Sequence, residues 1–246
     1  MTDQNNEKVV SEEQDETNAE YSDLYPGRRG PVKSDLIKQI FFYSQEEIQK
    51  KKCEYSIYNC VQNSPLVKLM LAALKSSGCE IDLSRHISCE VCDKTVTGGF
   101  DPFINQVVIC QNTCNTKKQV QSTLSHELIH MFDYCRNKLD LNNMDHLACT
   151  EIRAANLCHC SFLGAVTRRL AGPFHIKQVH RDCVADKAIR SVMAIKNVSK
   201  DKATEAVQRV FTKCYNDLEP VGRRIRRKSM DMQKAYLEAP LYGYFD

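Results

Sequence analysis

Residues 117–137 read KKQVQSTLSHELIHMFDYCRN, and this stretch decides the fold. Val120, Leu124, Leu128, Met131 and Cys135 recur at the spacing of one helical face, so the run is expected to be a long amphipathic helix. Within it stands His126-Glu127-Leu128-Ile129-His130, the pattern H-E-x-x-H. Residues four apart on a helix share a face, so both imidazoles point at one place and can hold one metal ion. Glu127 lies beside them, placed to polarise a water at the metal. Thr123, Leu124, Leu128, Ile129, Met131 and Phe132 are uncharged, as a buried metal helix requires. The rival reading is a structural helix with two core histidines.

A catalytic Zn2+ takes three protein ligands and keeps one position open. Glu151 is the first candidate for the third. It starts another helical run, Thr150-Glu151-Ile152-Arg153-Ala154-Ala155-Asn156, one interhelical turn downstream of His130. Asp133 lies on nearly the same face as His130 and suits an outer partner that hydrogen-bonds a ligand's second ring nitrogen. Asp145 and His146 fall in an expected loop and also remain in reach.

Outward from this helix, Ser34–Lys51 and Ser64–Ser76 have helical spacing, the second with Pro65 at an early position and Gly78 just past its end. Residues 79–115, with Gly98-Gly99, Pro102 and β-branched runs, read as a hairpin or small sheet. Gln106–Cys110 is expected as the edge strand on which metalloproteases pair an extended substrate. Helices follow over Leu147–Cys160, Asp182–Ile195 and Ser199–Leu218, the last two as a hairpin. The order of helices, small sheet and helices gives an α+β class. Residues 1–34 carry eight acidic side chains before residue 24 and almost nothing apolar, which is the composition of a disordered tail. That leaves a domain over 35–220 and a basic C-terminal tail over 221–246.

Composition sets outer limits. A net charge of +3 over 246 residues gives no reason to expect nucleic-acid binding. The N-terminus has no apolar core for a secretory signal and no arginine for a typical presequence. No apolar run approaches the length of a membrane span. Thirteen cysteines are many for a reducing compartment, and an odd number leaves at least one thiol outside any intramolecular disulfide.

Several blocks together resemble a known family. They are Thr123–Arg136, His146–Leu157, Ser77-Gly78-Cys79, Gly98–Asp101, Val108–Asn112, Asn197–Lys200 and the cysteines at 183 and 214. The chain looks like the mitochondrial inner-membrane-associated zinc metalloproteases that process ATP synthase subunit 6, a family also called Ku-binding protein 3. The resemblance extends from about Cys53 to Pro220. It implies a zincin-like metalloprotease, with His126 and His130 as zinc ligands and Glu127 as the catalytic glutamate. It also implies an intermembrane-space protein attached peripherally to the inner membrane and oxidised by the import relay. The implied substrate is the precursor of a membrane-embedded ATP synthase subunit. Alternatives from other classes are a protease-independent assembly chaperone and a Ku-binding nuclear adaptor. The chain departs from the family at Asp140–Asn143, which lacks an expected aromatic, and at Cys158-His159-Cys160, where a turn with glycine and an acid is expected.

Cys79 with Cys89 and Cys110 with Cys114 have spacings like those of relay-oxidised proteins, and a Cys183–Cys214 bridge is placed to clamp the helical hairpin. The rival is a zinc ribbon built from Cys89, Cys92, Cys110 and Cys114. The leftover thiol is expected among Cys149, Cys158 and Cys160, with Cys135 next. Arg223-Arg224-Ile225-Arg226-Arg227-Lys228 reads as a lipid-contacting or nuclear-import cluster, or as a solvated tail.

Overall fold

The computed structural model describes residues 36–161, 175–226 and 229–245, with side chains from residue 45 onward. The tail expected over 1–34 lies outside the described residues. Along the chain come α1 (Leu36–Asn63), α2 (Pro65–Ser76), the single turn α3 (Leu83–His86), β1 (Ile87–Glu90), β2 (Gly98–Asp101) and β3 (Gln106–Cys110). Then follow α4 (Lys117–Arg136), α5 (Met144–Ala154), a π turn over Ala155–His159, α6 (Ile176–Lys196), α7 (Lys200–Asn216) and α8 (Asp231–Glu238). The class is α+β, mostly helical. α1 runs well past Lys51, and α6 begins six residues before its expected start.

Local chemistry sets the ends of these helices. Ser64 caps α2, with Pro65 at its first position. Thr116 and Gln119 form a reciprocal capping box at the start of α4: the Thr116 hydroxyl accepts from the Gln119 amide, and the Gln119 side chain accepts from the Thr116 amide. Between α6 and α7 the chain turns at Asn197, whose φ of 46° lies in the left-handed region that asparagine tolerates. Ser199 caps α7.

The sheet has the order β1-β3-β2, with β1 parallel and β2 antiparallel to β3. The expectation of Gln106–Cys110 as an edge strand is therefore overturned. β3 is the centre of the sheet, and Val107, Val108, Ile109 and Cys110 are all fully buried. A near-continuous apolar run marks a strand covered on both faces, which is what Val107–Cys110 spells. β2 holds the edge nearer α4. An added Cβ on Gly98 would sit 2.5 Å from Thr123 Cγ2 and 2.6 Å from the Val108 carbonyl oxygen. Glycine is what lets β2 lie this close to α4.

Two hydrophobic cores result. The first joins α1, α2, the sheet and α4 through Leu69, Met70, Ile109, Leu128 and Phe132. The second joins α5, α6 and α7 through Ile152, Val184, Ala188 and Val207. Helix α5 and its π turn form the shared wall, with Ala154 and Leu157 in the first core and Ile152 and Ala155 in the second.

The described residues between 221 and 245 do not form a separate basic tail. Val221, Ile225, Ala235 and Ala239 are buried in the first core, and α8 packs on α2. The described arginines of the cluster, Arg223, Arg224 and Arg226, have partners within the fold. Arg223 pairs with Glu238, Arg226 grips Asp231 at 2.8 Å, and Arg224 donates to the Tyr215 carbonyl at 2.7 Å. The hydrogen bonds from Arg226 hold the Asp231 carboxyl well below the usual range. The three described members of a cluster that reads as a solvated or lipid-seeking patch are engaged in internal clamping.

Five disulfides link Cys53–Cys89, Cys79–Cys135, Cys92–Cys110, Cys149–Cys214 and Cys160–Cys183. None is a pair singled out from spacing, and the zinc-ribbon quartet is consumed by bridges except for Cys114. Cys60, Cys114 and Cys158 are free, so one thiol of the expected trio is unpaired, whereas Cys135 is bridged. The three thiols are buried or half-buried, and burial pushes all of them up, Cys158 beyond the ordinary thiol range.

Two outcomes follow. Alkylation of the unfolded, unreduced chain labels three cysteines, and thirteen after reduction, counted by intact mass. Gly98→Ala lowers stability by about 1–3 kcal/mol in chemical denaturation, because backbone and helix both have to move; an unchanged midpoint contradicts the close approach of β2 to α4.

Candidate metal centre

The centre lies where α4 of the first core meets α5 of the second. His126 and His130 project from successive turns of α4, and Glu151 faces them from α5. His130 Nε2 is 3.0 Å from His126 Nε2. The Glu151 carboxylate oxygens stand 3.7 Å from His126 Nε2 and 3.5 Å from His130 Nε2. A tetrahedral ion with bonds of about 2.0–2.1 Å holds its ligand atoms about 3.3 Å apart, so these separations bracket that value. Among the described residues, this is the one group of three or more potential ligands that converges.

An outer hydrogen bond fixes which nitrogen of His130 faces inward. His130 Nδ1 lies 2.8 Å from Thr150 Oγ1, which donates to Asp133 Oδ2 at 2.7 Å. With its proton committed to Asp133, the Thr150 hydroxyl accepts, so His130 carries its proton on Nδ1. His126 Nδ1 lies 2.9 Å from His159 Nε2, and His159 Nδ1 is 3.4 Å from Ser122 Oγ. His126 has no such anchored partner: with its proton on Nδ1, directed at His159 Nε2, its own Nε2 is bare. In that tautomer both Nε2 atoms present lone pairs to each other and to a carboxylate. That arrangement is repulsive by itself and is satisfied by a cation among the three, so these residues fit a divalent metal.

Electrostatics point the same way. Burial lowers the pKa of both imidazoles, His130 to about 3, so each is neutral and available as a ligand near pH 7. Burial raises Glu151 to about 7, against a hydrogen bond from Ser191 that favours its charged form. Glu127 is held well above the usual carboxylate range, first by burial and then by the charge of Glu151. It sits beside β2, with its Cγ 3.7 Å from the position of a Cβ on Gly98.

Asp133 touches neither imidazole. It reaches His130 through the Thr150 hydroxyl and is itself gripped by Arg153 Nε at 3.0 Å. Arg153 also donates to the Glu219 carbonyl at 2.6 Å. Asp145 and His146 go elsewhere: Asp145 pairs with Arg209 at 2.6 Å, and His146 Nδ1 accepts from the Asp140 amide at 3.2 Å. His180 is buried between the Tyr215 hydroxyl and the Cys160 carbonyl. Sequence reasoning missed His159, Thr150 and Ser191. The signal for His159 was the unusual Cys158-His159-Cys160 triplet; Thr150 and Ser191 had none.

The centre opens into a cleft of about 170 Å³ lined by His126, Glu151, Ala155, His159, Lys187, Arg190 and Ser191. A larger concavity of about 490 Å³ lies at the far end of α4, around Arg136, Asp217 and Tyr242, and holds no such ligand group.

Residues 51–222 match the peptidase M76 family. The mitochondrial inner membrane protease ATP23 homolog of Homo sapiens is 43% identical over 216 residues, covering 80% of this chain and 87% of that protein. The homolog of Danio rerio is 41% identical over 215 residues, covering 87% and 81%. The mitochondrial inner membrane protease atp23 of Schizosaccharomyces pombe is 36% identical over 174 residues, covering 70% and 92%. No solved structure matches the chain. With two histidines of an H-E-x-x-H helix meeting a glutamate from the next helix, and relatives covered over most of their length, the chain belongs to the peptidase M76 family and is a metalloendopeptidase.

Proposed function

We propose that this chain is a zinc endopeptidase at the intermembrane-space face of the mitochondrial inner membrane. Its substrate in this reading is the presequence of a membrane-embedded ATP synthase subunit, whose assembly it also assists. The observation that carries the proposal is the convergence of His126, His130 and Glu151 beside a Glu127 that ligates nothing.

Bound zinc supplies Lewis-acid polarisation of a peptide carbonyl and acidification of water. The rest is done by the chain. His126, His130 and Glu151 would hold the ion, while Thr150 keeps His130 in the ligating tautomer, Asp133 steadies Thr150, and His159 Nε2 lies in reach of the Nδ1 proton of His126. Glu127 takes the proton of the attacking water and returns it to the leaving amine. Its raised pKa has the right sense for a group that must both accept and release a proton near neutrality. The free edge of β2, next to Glu127, offers main-chain groups to an extended peptide.

Five disulfides favour an oxidising compartment over the nucleus, which argues for import with oxidation and against a nuclear adaptor. No helix among the described residues is long and apolar enough to cross a membrane. Met230, Leu237, Leu241, Tyr242 and Phe245 are each exposed near the C-terminus, apolar side chains suited to peripheral contact with a bilayer.

Glu127→Gln keeps its zinc but loses at least about 100-fold in kcat/KM on the subunit precursor, read by N-terminal sequencing of the product. Cleavage at the unsubstituted rate sinks the mechanism, and assembly that persists without cleavage assigns the dominant role to chaperoning. Zinc affinity is level above about pH 7 and falls below it, because protonated Glu151 cannot ligate and its pKa lies at about 7. Competition titration with a chelator across pH 5–8 measures this, and an affinity flat through that window removes Glu151 as a ligand.

A further inference from the structure

Helix α6 forms one wall of the cleft, and one stripe of it is tied to the centre at several points. His180 bonds the Cys160 carbonyl at 3.2 Å. Cys183 is bridged to Cys160, the residue after His159. Ser191 hydrogen-bonds Glu151. Positions 183, 187 and 191 are four apart and therefore share a face. Lys187 lies between two anchored neighbours and lines the same cavity as His126, Glu151 and His159. Its charge acts on both His126 and His159, lowering each. The other cation of the lining, Arg190, is paired with Asp186. The lining holds no carboxylate besides Glu151, which is a member of the metal set. A lysine ammonium on a flexible stem, at the rim of a concave site, favours an anionic group arriving with the ligand.

We propose that Lys187 is a specificity-determining residue that selects peptides carrying an acidic side chain close to the scissile bond. The inference rests on the endopeptidase reading of the centre. It extends that reading from a class of reaction to a class of substrate. Lys187 acts on binding, through a salt bridge at the cleft rim, and leaves the proton transfers of Glu127 untouched.

The test uses the full zinc-loaded chain carrying Glu127→Gln, so that ligands bind without turnover. The probes are fluorescent decapeptides of one uncharged parent sequence, with a single Glu or a single Gln walked through every position. At low ionic strength, Glu binds about threefold to tenfold tighter than Gln at one or two positions, read by anisotropy. Adding Lys187→Gln abolishes that advantage, and Lys187→Glu reverses it in favour of peptides bearing Lys at the same positions. Zinc content, measured alongside, stays constant. Equal binding of Glu and Gln peptides at every position overturns the proposal, as does a preference that survives Lys187→Gln. A loss of zinc together with the preference also overturns it, since Lys187 then supports the metal set. The same peptides offered to the chain with Glu127 intact report separately on hydrolysis. Charge-dependent binding without any cleavage defeats the protease reading and leaves the charge selection standing.

Discussion

The metal set exists because α4 and α5, helices from different cores, are held in one register by the buried pair of Asp133 and Arg153. Both are almost fully buried, and neither is tolerable there without the other. Asp133 spends its remaining oxygen capacity on Thr150, which orients His130. Arg153 reaches on to Asp217 and to the Glu219 carbonyl, drawing the end of α7 and the chain beyond it into the same network. Removing one partner leaves an uncompensated charge at the seam and a misaligned imidazole one residue contact away. The pair therefore acts on the register of the centre, more than as a generic source of stability.

The centre itself is an unfavourable arrangement that the rest of the fold enforces. Two neutral imidazoles with their Nε2 atoms 3.0 Å apart, a carboxylate raised to about 7 and a second carboxylate raised beside it would relax apart in a pliable setting. They are kept together by apolar packing on both sides, Leu128 and Phe132 behind α4 and Ile152 behind α5. Metal binding collects the interaction energy that this enforced proximity sets aside, as expected of a preorganised site.

Much of this was legible in the chain because helical periodicity is local. The i, i+4 placement of His126 and His130 follows from α-helix geometry alone. Glu151 was reachable because a second amphipathic helix had to pack its polar position somewhere close. What depended on tertiary proximity was not legible. Disulfide partners are chosen by where α1 and β1, or α5 and α7, come to lie, and neither C-x9-C nor C-x3-C spacing carries that information. Val107–Cys110 was apolar enough to be central, yet its place just before the metal helix suggested an edge. Residues 221–245 looked like a tail because arginine is polar in composition; their clamping to Asp231, Glu238 and Asn156 becomes visible only once the chain has folded back. His159 hydrogen-bonds a ligand from a π turn, an irregularity that no periodic pattern foretells.

The distribution of the five bridges has a consequence for how the molecule comes apart. Three of them close loops within the first core and its sheet, and two close loops within α5, the π turn, α6 and α7. None spans the seam. Covalently, the enzyme is two independently stapled halves joined only by the peptide passages between α4 and α5 and beyond α7. The buried Asp133–Arg153 pair and a bound metal would then be the strong ties across the boundary, and unlike a disulfide both are reversible. Opening along the seam breaks no covalent bond and dismantles the active centre while leaving each stapled half intact, so loss of activity and loss of fold are separable events in this architecture.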